Sequence, residues 1–129
     1  MEYKENGLSF EDYCQLRESV DWLLFSKEQT QEALNNSLYT VTAVEDNQTV
    51  GMGRLIGDGM YYMIVDIVVH PIYQKKGLGT NITNMLVEYV KNRTPLVGVP
   101  AYSLRSYLNK IRTKFSLLKL FAITLKGRE

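Results

Sequence analysis

VDIVVHPIYQKKGLGTNITNMLVEYVK, residues 65–91, decides how this chain folds. A run of β-branched residues reads as a strand and Pro71 ends it. From Gly77 onward Leu78, Ile82, Met85, Leu86, Tyr89 and Val90 recur at spacings of three and four, which predicts a helix with one apolar face. Between the two lie Gln74, Lys75, Lys76, Gly77, Leu78, Gly79 and Thr80. The first amides of a helix have no carbonyl four residues back to bond, so they are available to an anion. The helix dipole, two lysines and two glycines without side chains to block the backbone add up to a phosphate cradle. A tight strand-to-helix turn with solvated lysines uses the same residues, and a bare G-x-G does not separate the two. The spacing does exclude a Walker loop, G-x-x-x-x-G-K-[ST], and the dinucleotide fingerprint G-x-G-x-x-G.

The rest of the chain bounds what surrounds this turn. Its 129 residues suit one domain with one sizeable core, and 45% hydrophobic with 22% charged residues is an ordinary globular composition. A net charge of +1 gives no global argument for nucleic acid, a membrane surface or an acidic partner. Cys14 is the single cysteine and His70 the single histidine, so no Cys/His set at metal-ligand spacing and no internal disulfide is expected. A reducing compartment, the cytoplasm, fits that usage. No window approaches the ~20 apolar residues of a membrane span, and MEYKENGLSF lacks the basic end and apolar core of a targeting segment.

Charge is unevenly spread. Residues 1–100 carry 8 Lys+Arg against 13 Asp+Glu, a net of −5, while residues 101–129 carry 7 against 1, a net of +6. AYSLRSYLNKIRTKFSLLKL reads as a basic amphipathic helix, with Leu104, Leu108, Ile111, Phe115 and Leu118 along one side.

Upstream, Ser9 followed by Asp12 marks the N-cap of a helix carrying Tyr13, Leu16 and Val20, and Ser26 or Lys27 opens a second that stops at NNS. LYTVTAVED and QTVGMGRLIGDG alternate as two strands joined by a DN turn. MYYMIVDIVV is nearly continuous in apolar residues, as in a strand covered on both faces, and is the expected central strand. After the glycine-headed helix Pro95 breaks the chain and LVGV gives a short strand. From Ser9 the order is helix, helix, strand, strand, strand, helix, strand, an α+β fold with a sheet of mixed, mainly antiparallel direction.

The segment DIVVHPIYQKKGLGTNITNMLVEYV resembles the signature of the GNAT family of N-acetyltransferases: an apolar strand, V-x-P, two residues, then R/Q-x-x-G-x-G/A at a helix head. LRESVDW, ALNNSLYTVTA and VGMGRLIGDG are similar to segments of a bacterial subgroup in the same order, so the likeness covers about residues 3–95 of a single domain. It implies an acetyl-CoA-dependent N-acetyltransferase with no metal, in which residues 74–80 hold the CoA pyrophosphate. The pantetheine arm would lie along Ile67, Val68 and Val69, with an amide near Val68 or Val69 as oxyanion donor. The acceptor, a primary amine of a small molecule or peptide, must lose a proton on attack, and Asp66 is the acid nearest the implied thioester. A structural aspartate bonded to backbone is the alternative for Asp66, as a turn residue is for His70 and plain core for Trp22, Tyr61 and Tyr62, the candidate lining of an acceptor pocket. Family members often form homodimers, though no interface pattern is visible.

The end of the chain departs from that pattern. The family's F-Y-x-x-x-G-F helix, whose tyrosine often protonates the leaving thiolate, has no counterpart, and Tyr107 is the candidate substitute acid. The tail reads as a diverged cap, as a basic helix for a membrane or partner, or as the product of a shifted reading frame. The coincidence of charge change and lost similarity favours the last. With acceptor and acid elements missing, the alternative function is an acyl-CoA-binding module with little turnover.

Overall fold

Alternation in YTVTAVE and the two-residue Asp46–Asn47 turn build the hairpin that organises the molecule. β2 (Tyr39–Glu45) and β3 (Gln48–Gly57) pair antiparallel, and Asp46 and Asn47 take the positive φ (51° and 62°) that such a tight hairpin turn needs. The computed structural model describes residues 1–93. β1 (Glu2–Glu5) pairs outside β2, with Tyr3 opposite Ala43, and β4 (Tyr62–Val69) pairs on the other side of β3. The described sheet runs β1-β2-β3-β4 and is antiparallel throughout.

One expectation changes here. β1 has no apolar periodicity to announce it; it exists because β2 offers it an edge, and Tyr3 secures it by accepting from Asn81 Nδ2 at 2.9 Å. Among the described residues β4 pairs with β3 alone, and its expected central place turns on residues beyond them. Its apolar run reflects burial of both faces, which is independent of what lies at its edges. The expected LVGV strand, the tail helix and Tyr107 lie outside the described residues.

Helices cover the two faces of the sheet. Ser9 Oγ accepts from Asp12 N–H and caps α1 (Phe10–Ser19), and Ser26 Oγ accepts from Gln29 N–H and caps α2 (Lys27–Asn35), as the sequence predicts. Tyr13 and Leu16 of α1 pack on Met52 and Val68. On the opposite face α3 (Leu78–Arg93) lays Leu78, Ile82, Leu86 and Val87 on Val41, Ala43, Leu55, Ile64, Ile67 and Val69. Val87 joins the expected face, while Met85, Tyr89 and Val90 are partly buried at its margin. Tyr89 also stacks on Tyr39 with ring centroids 4.4 Å apart, and Tyr39 donates to Glu5 Oε1 at 2.6 Å, so the far edge of the sheet is tied to the same helix. No helix among the described residues is long and apolar enough to cross a membrane.

β4 is not regular. Met52 opposes Val68 but Arg54 opposes Val65, so two residues of β4, Asp66 and Ile67, face the single Gly53 in a β-bulge, and Asp66 takes φ 55°. The extra residue keeps Asp66 on the α1/α2 face, beside Arg54, and returns Ile67 to the α3 face. This bulge places the side chains described next.

Candidate functional site

Asp66 is the hub of a buried polar cluster. Arg17 Nη1 donates to its Oδ1 at 2.8 Å, Arg54 Nε donates to Oδ2 at 2.9 Å, and the Tyr13 hydroxyl donates to Oδ2 at 2.8 Å. The Arg54 side chain reaches on to α2, where Nη1 donates to Ala33 O and Ser37 Oγ. Arg17 reaches the other way: Nε and Nη2 both donate to Leu23 O, and its guanidinium lies over the rings of Trp22 (5.1 Å) and Phe25 (5.4 Å). One carboxylate thus connects the bulge of β4 to α1, to α2 and to the loop between them.

This geometry revises the expectation of Asp66 as general base. Both of its oxygens accept charge-assisted bonds from guanidinium groups, which occupy the positions a substrate amine would need. Both Asp66 oxygens are taken up by side chains of α1 and β3. His70 is a turn residue, as its alternative reading had it: Nδ1 accepts from Ile72 N–H at 3.2 Å, which puts the neutral ring's proton on Nε2.

Tyr13 bears the electrostatic cost of the cluster. Burial, then the charge of Asp66 and the hydrogen bond to it, push its hydroxyl up from 10.0 to about 12. A folded-state value above the unfolded one means stability that is complete below pH 10 and lost as the pH rises through 12. The parent should therefore lose about 2 kcal/mol between pH 10 and 12 that Tyr13→Phe does not lose, the larger part of the linkage between the two values. Urea denaturation of both proteins across that window measures the difference; parallel curves would refute the coupling.

The strand-to-helix turn forms as predicted, one residue later than expected, since α3 starts at Leu78. His70 caps a short 3-10 turn (Pro71–Tyr73), Lys75 takes φ 65° and Gly77 φ 86°, and Asn81 N–H is bonded back to Gly77 O at 3.0 Å. Left-handed residues alternating with ordinary ones are the backbone pattern from which anion-binding nests are built. A Cβ built at Gly77 would meet no protein atom within 4 Å, so the glycine serves its φ and the space above it is open. Lys75 and Lys76 are exposed beside it, Lys76 Nζ lying 5.6 Å from the Tyr73 ring centroid.

The edge of β4 leads into this turn. His70 N–H donates to Val50 O, and because antiparallel residues alternate in facing their partner, Val68 turns its amide to β3 while Val69, beyond the bulge, turns its amide away from β3. Of Val68 and Val69, the two expected oxyanion donors, Val69 is the one whose amide is not directed at β3. Its carbonyl accepts from Gln74 Nε2 at 2.9 Å, which locks the turn to the strand end. An outward strand edge ending in an anion nest fits a ligand with an amide-bearing arm and a diphosphate, the chemistry of coenzyme A.

The aromatic residues expected around an acceptor are not gathered. Trp22 packs at the margin of the α1-face core, with Nε1 buried and unpaired among the described residues. Tyr61 is exposed at the β3–β4 turn, and Tyr62 packs at the margin of the α3-face core while its hydroxyl donates to Gly59 O. A cleft of about 400 Å³ opens elsewhere, between α2 and β3, lined by Tyr13, Phe25, Gln29, Glu32, Asn36 and Arg54 among others. Sequence reasoning missed it, although one signal was present: Arg17 and Arg54 sit where the helical and strand periods call for core residues.

A family model of the acetyltransferase (GNAT) family matches residues 7–106. The chain belongs to the GNAT family. The match runs past Pro95, where similarity was expected to end, so the family pattern enters the region of changed charge. Among solved structures this GNAT chain is similar to a meticillin-resistant Staphylococcus aureus protein of unknown function, a "Probable Acetyltransferase", at 32% identity and TM-score 0.69, covering 88% of this chain and 86% of that one. It shares its fold with an aminoglycoside 6'-N-acetyltransferase solved with coenzyme A, at 22% identity and TM-score 0.58, covering 72% and 57% of the two chains. A curated relative, an uncharacterized N-acetyltransferase (ycf52-like) of Prochlorococcus marinus, is 29% identical over 84 residues, 61% of this GNAT chain and 47% of that protein. The chain spans about half the length of that relative. The α+β sheet flanked by helices, expected from the sequence, is the GNAT fold.

Proposed function

We propose that the chain is an acetyl-CoA-dependent N-acetyltransferase that passes an acetyl group to a primary amine of a small molecule or peptide by direct attack on the thioester. The carrying observation is the continuity of the outward edge of β4 with the left-handed turn at Lys75 and Gly77. The backbone of residues 74–80 would hold the pyrophosphate, with Lys75 and Lys76 supplying charge and the α3 dipole adding to it. Ile67 and Val69 would pair with the pantetheine arm as one more strand. When bound, acetyl-CoA supplies the activated acyl group, and the Val69 amide is the donor placed to stabilise negative charge on its carbonyl oxygen.

Proton handling falls to solvent in this reading. The Asp66 oxygens are engaged by Arg17, Arg54 and Tyr13, and His70 Nδ1 is occupied. Water is then the acceptor for the amine's proton. Tyr107 as the acid toward the thiolate lies outside the described residues. The cytoplasm, where acetyl-CoA is made and used, is the compartment this reading requires.

Calorimetric titration with acetyl-CoA tests it. Saturable binding by the parent is expected, weakened roughly a hundredfold or more in Gly77→Glu/Gly79→Glu, which sets two carboxylates against the diphosphate. Circular dichroism confirms that the variant is folded, and an amine panel with the parent then reads turnover. A folded parent that binds no acetyl-CoA would end the proposal, and one that binds without turning over any amine would reduce the protein to an acyl-CoA-binding module.

A further inference from the structure

The buried cluster carries more positive than negative charge. Arg17 and Arg54, 9% and 8% exposed, share one acid, the 5% exposed Asp66. Tyr13 does not offset them, because its hydroxyl stays protonated at neutral pH. Glu32 is exposed on the wall of the same cleft and makes no ion pair among the described residues. One guanidinium charge is therefore left without a counterion in a largely dehydrated place, which is costly for a protein to maintain.

The unmatched donor can be named. Arg54 uses Nε on Asp66 and Nη1 on Ala33 O and Ser37 Oγ, but Nη2 makes no hydrogen bond among the described residues. Nη2 is not among the sealed, unpaired atoms either, so it reaches the solvent of the cleft that Arg54 lines. The Tyr13 ring, 5.7 Å from the guanidinium carbon, supports the side chain, and the half-exposed Phe25 forms an apolar wall. Gln29 and Asn36 add amide groups to the lining.

We infer that this cleft binds the carboxylate of a small amino-acid-like molecule, held by Arg54 Nη2 against the Phe25 wall. The single unbalanced charge matches a carboxylate. A phosphate monoester, with nearly two charges and three acceptor oxygens, would overcompensate it and lack donors. Glu32 on the wall suits the ammonium of the same molecule, and about 400 Å³ admits an amino acid. Arg54 is joined through Asp66 to the bulge of β4. Within the acetyl-transfer reading, on which this last step alone rests, the acceptor is an amine that also carries a carboxylate.

Calorimetry of the full chain, with and without CoA, compares L-phenylalanine with phenethylamine and L-lysine with cadaverine, each pair differing by the carboxylate, and adds inorganic phosphate. The amino acids should bind about tenfold to a hundredfold more tightly than their decarboxylated partners. Arg54→Met, which leaves Arg17 and Asp66 as a neutral pair, should abolish that preference. Should Arg54→Met not fold, Phe25→Ala at the exposed wall should weaken L-phenylalanine without changing the preference for carboxylates. Equal affinity within each pair, no saturable binding of any probe, phosphate binding as tightly as the amino acids, or indifference to Phe25→Ala would each overturn the inference. Amino acids binding to a protein that ignores acetyl-CoA would leave this site standing and remove the acetyl-transfer reading instead.

Discussion

Asp66→Ala should lower stability by about 3–5 kcal/mol, the usual cost of removing one partner from a buried ion pair. At this chain length that is a fall of roughly 10–20 °C in melting temperature. The cost is high because two guanidinium groups, 9% and 8% exposed, lose their one counterion together and keep their burial. Tyr13 loses its acceptor as well. Asp66→Asn retains the shape and one acceptor oxygen but not the charge, so it should fall between the parent and alanine. A catalytic base would behave differently: its removal would suppress turnover with little change in melting temperature. Thermal denaturation of the three proteins decides, and an Asp66→Ala protein as stable as the parent would show that the guanidinium groups do not depend on this carboxylate.

That cluster also marks where sequence reading succeeds and where it stops. The turn at residues 74–80, the α3 face and both serine caps were legible because each rests on local chemistry: glycines where φ is positive, a period of 3.6, a hydroxyl three residues before an amide. The role of Asp66 was not legible. In MIVDIVV it stands alone as a polar residue, and its partners lie 49 and 12 residues away in sequence. Only the bulge opposite Gly53, a tertiary feature, sets its side chain toward Arg17 and Arg54. The place of β4 in the sheet was hidden for a related reason. Side-chain patterning reports which faces of a strand are covered, and carries no information on whether a neighbour is bonded to its edge. Trp22 and Phe25 show the same limit within one loop: both are aromatic, and the Arg17 bonds to Leu23 O hold the loop that carries Trp22 to the core margin and Phe25 to the cleft.

Gly53 connects the bulge to the anion nest, and Gly53→Ala should reveal that connection. A Cβ at this position would lie 2.6 Å from Ile82 Cγ2, 2.7 Å from Ile67 Cδ1 and 3.1 Å from Leu86 Cδ1. The φ at Gly53 is not in the left-handed region, so the restriction is one of space. α3 approaches the sheet this closely because β3 presents glycines at 51 and 53 beneath Ile82. A methyl group must push Ile82 outward, at a cost of about 1–3 kcal/mol for an overpacked core. Because Ile82 is four residues from Leu78, that displacement reaches the first turn of α3 and the nest before it. Gly53→Ala should therefore melt below the parent and bind acetyl-CoA more weakly, although its contacts are with side chains under α3, Ile67 among them, and not with the turn at residues 74–80. Ile67→Val, which deletes the methyl 2.7 Å away, costs ~0.5–1.5 kcal/mol in a well-packed core but should cost less, or stabilise, when Gly53→Ala is present. A double-mutant cycle on melting free energies reads this coupling, and strict additivity of the two changes would mean that α3 accommodates the methyl elsewhere and that the nest is positioned independently of β3.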